Sequence, residues 1–116
     1  MMTLPHDHGQ SIEKHFEHMP KEESFQVVSD VFKLLSDRSR ARIFWILCHC
    51  EECVMNISAL MEMSSPAVSH HLRLLKDNGL ITSRREGKEV YYRAAQTEQV
   101  KMLHMTIEKM AEITCI

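Results

Sequence analysis

Glycine, proline and aromatic residues are all scarce in this sequence of 116 residues, and each scarcity narrows the class of protein. Aromatic residues make up 6% of the chain. Glycine and proline contribute only three residues each. Because these two residues mark most turns, turns are few and long helices are favoured. No segment approaches the roughly 20 consecutive apolar residues that cross a membrane. The N-terminus has neither a basic start nor an apolar run, so we expect no secretory signal, a cytoplasmic location and no membrane partner.

The motifs of common enzyme classes are also missing. The sequence has no Gly-rich phosphate loop, no Gly-x-Ser-x-Gly nucleophile turn and no His-Glu-x-x-His pair. The net charge of −2 excludes a uniformly basic nucleic-acid binder. Apolar residues at 44% and charged residues at 26% are typical of a single globular domain. We therefore predict that the protein is not an enzyme.

Cysteine and histidine are abundant and clustered. Three of the four cysteines fall within six residues, and four of the eight histidines lie among the first eighteen residues. The fourth cysteine, Cys115, stands beside the C-terminus. In a reducing compartment, crowded cysteines indicate metal ligation or redox sensing rather than structural disulfides.

Apolar spacing predicts four helices in the first two thirds of the chain. The first begins near Glu22, where Phe25, Val28 and Phe32 recur at steps of three and four residues. The second is apolar over much of its circumference and runs into Cys48, so we predict that it lies at the centre of the core. The predicted N-caps of the second, third and fourth helices are Asp37, Asn56 and Ser65, with Pro66 at the first position of the fourth.

A hairpin and a last helix complete the predicted domain. Residues 80–85 and 89–93 are rich in strand formers, and residues 86–88 supply the turn. The last helix runs from Thr97 to about Thr114, with an apolar seam at Val100, Leu103, Ile107 and Met110 that suits packing on another helix. Before the domain, residues 1–20 form a polar, His-rich arm that can include a short helix capped by Ser11. We therefore predict an arm at 1–20 and a domain at 21–116.

This order of elements predicts a winged helix-turn-helix, a mainly α fold with a small β-hairpin. The second helix of such a pair enters the DNA major groove by its N-terminal half, and the wing contacts phosphates. Between Ser64 and Arg93, six basic and three acidic residues give a local charge of +3. The predicted DNA-binding residues are Ser64, Ser65, Ala67, Ser69, His70 and Arg73 on the recognition helix and Arg84, Arg85 and Lys88 on the wing.

Three segments carry a resemblance to a known family. Residues 35–43 read LSDRSRARI, residues 65–75 read SPAVSHHLRLL, and the wing contains Gly79-Leu80-Ile81 and Tyr91-Tyr92. These segments resemble the ArsR/SmtB family of winged-helix repressors over roughly residues 24–114. The resemblance implies a homodimer joined through its first and last helices, which binds a palindromic operator in double-stranded DNA and releases it when ligand binds.

The predicted metal ligands are Cys48, Cys50, Cys53, His6 and His8. Cys50 and Cys53 have the C-x-x-C spacing that lets two thiolates share one ion, and His49 adds a further donor. The family resemblance implies that Cys53 joins ligands from the partner's arm. Met55 stands where the family's second cysteine is expected, and Cys50 can compensate. A mixed Cys/His set favours Zn(II) or Cd(II), with Pb(II) also suited to thiolates, as the regulatory ligand.

Other interpretations remain open from the sequence. The same fold can serve as a thiol-based redox or persulfide sensor through Cys50 and Cys53, or the chain can be a metal-buffering protein that binds no operator. In relatives a second metal site lies between the last helix of one subunit and the last helix of the other. The corresponding residues here are Gln96, Glu98, Lys109 and Glu112, a poor donor set, whereas His104 and Glu108 stand four apart on one helix face and can form a variant.

Overall fold

A computed structural model describes residues 3–114 of the chain. These residues form helices α1 (Ile12–Glu17), α2 (Glu22–Leu35), α3 (Arg38–His49), α4 (Val54–Met61), α5 (Ser65–Asp77) and α6 (Glu98–Thr114), and strands β1 (Glu52–Cys53), β2 (Ile81–Glu86) and β3 (Glu89–Ala94). The predicted order of helices and hairpin is confirmed, with one additional strand. None of the described helices is long and apolar enough to span a membrane. Cys115 lies outside the described residues.

The chain divides into two compact units, one up to Asp30 and one from Val31 onward, so the division falls within α2. In the first unit α1 buries none of its residues. The predicted cap of this helix is wrong, because Ser11 has a left-handed backbone, with φ of 53°, and its side chain makes no capping hydrogen bond. Phe25 and Val28 are exposed on the first turns of α2.

The second unit holds the hydrophobic core, and α3 lies at its centre as predicted. Ile43 and Phe44 have no exposed surface and Leu47 is 2% exposed, so this face of α3 is fully enclosed. The surrounding elements each bury one or more apolar side chains in the same core: Leu34 of α2, Ile57 of α4, Val68, Leu72 and Leu75 of α5, Leu80 and Ile81 near β2, and Val100 of α6.

The start of α3 is fixed by hydrogen bonds that reach two other helices. The Asp37 carboxylate accepts from the backbone N–H of Arg40 at 2.9 Å, which confirms the predicted N-cap and lowers the pKa of Asp37. The Arg40 guanidinium donates to the Leu34 carbonyl at 2.6 Å and lies 3.2 Å from Nδ1 of His71 on α5. Partial burial lowers the pKa of His71, so the ring is neutral at pH 7 and can accept from Arg40.

Two predicted helix starts are wrong. Helix α4 begins directly after β1, so Cys53 occupies the cap position, and Asn56 lies inside the helix where its amide donates to the Glu52 carboxylate. Helix α5 is capped by Ser64 rather than Ser65, because the Ser64 hydroxyl accepts from the N–H of Ala67 at 3.3 Å. Ser65 is thus the first helical residue, and Pro66 follows at the second position.

The wing is a three-stranded antiparallel sheet in the order β1-β3-β2, not a two-stranded hairpin. Strands β2 and β3 pair from Ile81 with Ala94 to Glu86 with Glu89, so the turn is the two residues Gly87 and Lys88. Gly87 has a φ of 63°, which such tight turns require. Strand β1 adds Cys53 opposite Tyr91. The short strand therefore attaches the segment after α3 to the base of the wing.

Candidate functional site

Helix α5 presents the predicted DNA-reading face to solvent. Val68, Leu72 and Leu75 are at most 1% exposed and form the buried stripe of this helix. Ser64, His70 and Arg73 are exposed or partly exposed on the other side, and Ser65, Ala67 and Ser69 lie between the two faces. Small side chains on the first turns leave room for the helix to approach another surface closely. The geometry matches that of a helix which inserts its N-terminal half into a groove.

Hydrogen bonds stabilise the turn between α4 and α5. Glu62 ends α4 with a left-handed backbone at φ 53°. The N–H of Met63 donates to the Ser58 carbonyl at 3.1 Å, and the hydroxyls of Ser58 and Ser65 lie 3.3 Å apart. Sequence reasoning identified the two helices of the pair but not these contacts, of which the hydroxyl pair joins residues seven positions apart across the turn.

The three basic residues predicted on the wing differ in whether their side chains are bound by carboxylates of the protein. Arg85 and Lys88 are exposed near the tip. The Arg84 guanidinium instead donates to both carboxylate oxygens of Glu51, at 2.6 to 3.0 Å, and to Glu86 at 2.6 Å. It also lies 4.9 Å from the Tyr91 ring centre. Arg84 therefore braces the wing against the segment between α3 and β1.

Arg84 and Glu51 stabilise each other in their charged forms. Hydrogen bonds from Arg84 lower the pKa of Glu51, and the two carboxylates raise the pKa of Arg84. Both groups thus stay charged across the physiological range. Glu51 was missed at the level of sequence because its partner lies 33 residues along the chain.

The three clustered cysteines have different environments. Cys48 is half-buried at the end of α3, Cys50 is exposed, and Cys53 is buried on β1. Burial, and secondarily the charge of Glu108, raises the pKa of Cys48 to about 11. The Cys50 thiol donates to the Ile46 carbonyl at 3.4 Å. All three are free thiols.

These cysteines are not brought together within one chain. Among residues 3–114, the group of three or more His, Cys, Asp or Glu side chains whose ligand atoms lie within 4.8 Å of one another contains no cysteine. Helix α3 ends at His49, Cys50 follows it with an extended backbone, and Cys53 is buried on β1. His6 and His8 are exposed in the first unit, with ring centres 5.9 Å apart.

The high pKa of Cys48 leads to a chemical prediction. At pH 8 a thiol with a pKa of about 11 is about 0.1% thiolate, and the thiolate is the nucleophile. We expect alkylation of Cys48 by iodoacetamide to be slow at pH 8 and to accelerate about tenfold for each pH unit up to pH 10. Peptide mass spectrometry after timed quenching follows Cys48 and the exposed Cys50 in the same sample. A Cys48 rate that does not change with pH would contradict this assignment.

The donor group that does converge joins α3 to α6. It consists of His49, His104 and Glu108. The Nε2 atoms of the two histidines lie 3.1 Å apart, and each lies 3.1 Å from the same Glu108 oxygen. The indole N–H of Trp45 donates to that oxygen at 3.0 Å. The sequence predicted the His104 and Glu108 pair from its spacing, but it did not connect His49 with them.

Comparison with known proteins places the chain in a family. A sequence profile described as "Bacterial regulatory protein, arsR family" matches residues 37–83. The cadmium resistance transcriptional regulatory protein CadC homolog of Staphylococcus aureus is 46% identical over 77 residues, which are 66% of this chain and 63% of that protein, just under two thirds of its length. CadC of Listeria innocua is 34% identical over 87 residues, 74% of this chain and 73% of that protein.

Solved structures share the fold. HlyU from Vibrio cholerae superposes with a TM-score of 0.71 at 26% identity, covering 83% of this chain and all of that chain. The homodimeric winged helix-turn-helix DNA-binding domain of Mb0332 from Mycobacterium bovis gives a TM-score of 0.72 at 29% identity, covering 84% and 92%. The relatives are transcriptional regulators rather than enzymes. By its fold, its sequence profile and its relatives, this chain belongs to the ArsR/SmtB family of transcriptional regulators.

Proposed function

We propose that the protein is a homodimeric repressor that binds a palindromic operator in double-stranded DNA and releases it when a metal ion binds. The outward face of α5 carries the proposal. The start of the helix is capped and has small residues at Ser64 and Ala67, and two hydrogen-bonding side chains, His70 and Arg73, are exposed after it. An arginine in this position can donate two hydrogen bonds to a guanine edge.

A second copy of the chain is the proposed partner of the apolar faces that a single chain leaves exposed. Helix α6 exposes Met102, Met105, Met110 and Ile113, each at 61% or more. Phe32, at the end of α2, is 66% exposed. Apolar surface of this extent marks an interaction site. A two-fold dimer places two recognition helices on one face, and a two-fold operator is the DNA that such a dimer reads.

The regulatory ligand is proposed to be a thiophilic or borderline metal ion, Zn(II), Cd(II) or Pb(II). The names of the CadC relatives associate those proteins with cadmium resistance. Cys48, Cys50 and Cys53 of one subunit, with His6 and His8 of the other subunit's arm, are the proposed thiolate and imidazole donors by their chemistry. The cysteine trio does not fit an ion as a single-chain donor set, since its side chains do not converge.

A thiol-based redox or persulfide sensor of the same fold is the alternative. Cys50 and Cys53 are free thiols at C-x-x-C spacing, which favours a disulfide or polysulfide link on oxidation. Mass spectrometry after persulfide or peroxide treatment separates the two functions. A Cys50–Cys53 link that forms readily and abolishes DNA binding, while metals leave binding unchanged, would favour the alternative.

Selection from a random duplex library tests the DNA-binding proposal. The reduced, metal-free protein is expected to enrich a sequence with two-fold symmetry, whose half-sites are one helical turn of about 10 base pairs or a multiple of it apart. Sedimentation at the same concentration is expected to show a dimer. The His70→Ala/Arg73→Ala double variant serves as the control and should enrich nothing. Failure of the native protein to enrich any sequence, or enrichment of an asymmetric one, would refute the proposal.

Two arginines of the wing are expected to differ in their effect on the salt dependence of DNA affinity. Arg85 is free to meet a phosphate, whereas Glu51 and Glu86 hold Arg84. We expect Arg85→Ala to lower the slope of log affinity against log salt by about 0.9, the value for one lost phosphate contact. Arg84→Ala removes the same charge and is expected to leave the slope nearly unchanged. Affinity measured between about 50 and 300 mM salt decides this, and equal slopes for the two variants would contradict the assignment.

A further inference from the structure

A triangle of three metal-ligating atoms lies between the end of α3 and the middle of α6. Its corners are Nε2 of His49, Nε2 of His104 and Oε1 of Glu108, and all three edges measure 3.1 Å. Zinc bonds imidazole nitrogen at about 2.0 to 2.1 Å, and a tetrahedron of that size has edges of about 3.3 Å. An ion about 2.05 Å from each corner would sit about 1 Å above the plane of the triangle. The donors are therefore already spaced for a cation.

Hydrogen bonds among these side chains cannot satisfy all three ligand atoms at once. The single oxygen of Glu108 receives the Trp45 N–H at 3.0 Å and faces both histidine Nε2 atoms. If each Nε2 carries a proton to bond this oxygen, two N–H groups meet at 3.1 Å. If one Nε2 is bare, that nitrogen presents a lone pair to the carboxylate. A cation between the three atoms replaces the protons and accepts all three lone pairs.

The surrounding side chains hold the triangle in place while leaving it open. His104 and Glu108 are four residues apart on α6, and Trp45 and His49 are four apart on α3, so each pair lies on one helix face. The Trp45 and His49 rings pack with centres 4.2 Å apart. The side chains of His49, His104 and Glu108 are 44%, 27% and 48% exposed, so an ion and a completing water can enter.

We propose that His49, His104 and Glu108 form a metal site that ties α3 to α6. Two imidazoles and a carboxylate suit borderline divalent ions such as Zn(II), Ni(II) or Co(II) better than thiol-seeking Pb(II). The site uses none of the three clustered cysteines. It also differs from the residues that correspond to a second site in relatives, which are Gln96, just before α6, and Glu98, Lys109 and Glu112 on α6.

The position of the site indicates how an ion there can act. His49 is the last residue of α3, and the chain continues from it into β1, which pairs with the wing strand β3. An ion that fixes His49 to α6 therefore restrains the segment after α3, which contains β1 and leads into α4. A role of this restraint in regulation rests on the proposed function, whereas the binding of metal at the site does not.

Titration of the reduced full-length protein with Co(II) alone tests the site. Trp45 is the only tryptophan and contacts the triangle, so paramagnetic Co(II) bound there quenches its fluorescence. We expect saturable quenching with one ion per chain. His104→Ala and Glu108→Gln should each weaken Co(II) affinity by at least about tenfold, the lower end of what is seen even for lost outer-shell partners. Circular dichroism checks that each variant is folded. Weakened Co(II) binding in one folded variant is enough to support the site.

Matched controls separate this site from the other donors. Glu112→Gln makes the same change of charge one turn further along α6, and His18→Ala removes an imidazole from the first unit. Both should bind Co(II) as the native protein does. Cys50→Ser should keep the quenching. Native affinity in both His104→Ala and Glu108→Gln, or loss of the quenching in Cys50→Ser, would overturn the proposal.

A second arm of the experiment isolates regulation. Co(II) is expected to lower the affinity of the native protein for its selected duplex and to leave that of His104→Ala unchanged. Equal release of both proteins would assign regulation to other ligands and overturn the regulatory role. If the native protein binds no duplex even without metal, the proposed function fails, while the fluorescence titration still decides the site.

Discussion

Replacement of Arg73 by alanine is expected to weaken binding to the selected duplex by about 5- to 150-fold, the effect of losing one bidentate base contact. Arg73 is exposed on α5, directly after the buried Leu72. Since it follows the N-terminal half that enters the groove, its guanidinium can reach a base edge. The loss should be largest for the preferred sequence and smaller for random DNA, because base contacts carry specificity.

Lys76→Ala is the matched control for Arg73→Ala. It removes one positive charge from the same helix, in the last turn, away from the N-terminal half. Fluorescence anisotropy with the selected duplex and with a scrambled duplex at one salt concentration measures both variants. The specificity ratio should fall for Arg73→Ala and hold for Lys76→Ala. An Arg73→Ala protein with native affinity for the selected duplex would contradict the recognition role of this face.

Leu72→Ala is expected to lower the free energy of unfolding by about 2 to 5 kcal/mol. Leu72 is 1% exposed and packs in the core with residues of α3 and α4. Truncation leaves a cavity that close-packed neighbours fill only in part. Because small domains are stable by about 5 to 15 kcal/mol, this single change removes a large share of the total.

Urea denaturation of the native protein and two variants tests the Leu72 prediction. Leu60→Ala is the control, since it deletes the same atoms from a side chain on α4 that is 61% exposed. It should change the free energy of unfolding by no more than about 0.5 kcal/mol. Equal destabilisation by the two variants would show that the two leucines do not differ in burial as described. Leu72 and Arg73 are adjacent on α5. Comparing Leu72→Ala with Arg73→Ala therefore separates an effect on stability from an effect on DNA recognition within one helix.

Much of the fold could be predicted because its signals are local. The cap at Asp37 depends on a hydrogen bond to Arg40, three residues away. The end of α5 depends on Gly79, whose φ of 76° suits glycine above other residues. The buried stripe of α5 follows from helical periodicity alone. For the same reason, periodicity was enough to assign His70 and Arg73 to the opposite face of this helix.

The features that were missed depend on contacts between distant parts of the chain. Strand β1 has two residues and exists because Glu52 and Cys53 pair with Tyr92 and Tyr91. This pairing places the start of α4 at Val54, so the cap assigned to Asn56 was wrong. No propensity distinguishes a two-residue strand from a loop. Residue type could not decide between Ser64 and Ser65 as the cap of α5, because both are serines, and it is the Ser64 hydroxyl that accepts from the N–H of Ala67.

In the candidate sites, too, local pairs could be predicted and contacts between distant residues could not. Spacing within α6 was enough to pair His104 with Glu108, because residues four apart share a helix face. Their contact with His49 spans 55 residues or more and requires the packing of α3 on α6. The Arg84 and Glu51 pair spans 33 residues, so sequence could assign Arg84 a charge but not a partner. The convergence of Cys48, Cys50 and Cys53 also depends on backbone direction, which spacing does not determine.

Metal binding to this protein is proposed to weaken its affinity for DNA. The most direct test of this proposal follows the anisotropy of the labelled selected duplex with reduced, metal-free protein while Zn(II) or Cd(II) is added. We predict tight binding without metal and a fall in affinity of up to about 100-fold with metal, in the range of typical allosteric coupling. Affinity that stays constant while bound metal reaches saturation would contradict the proposal.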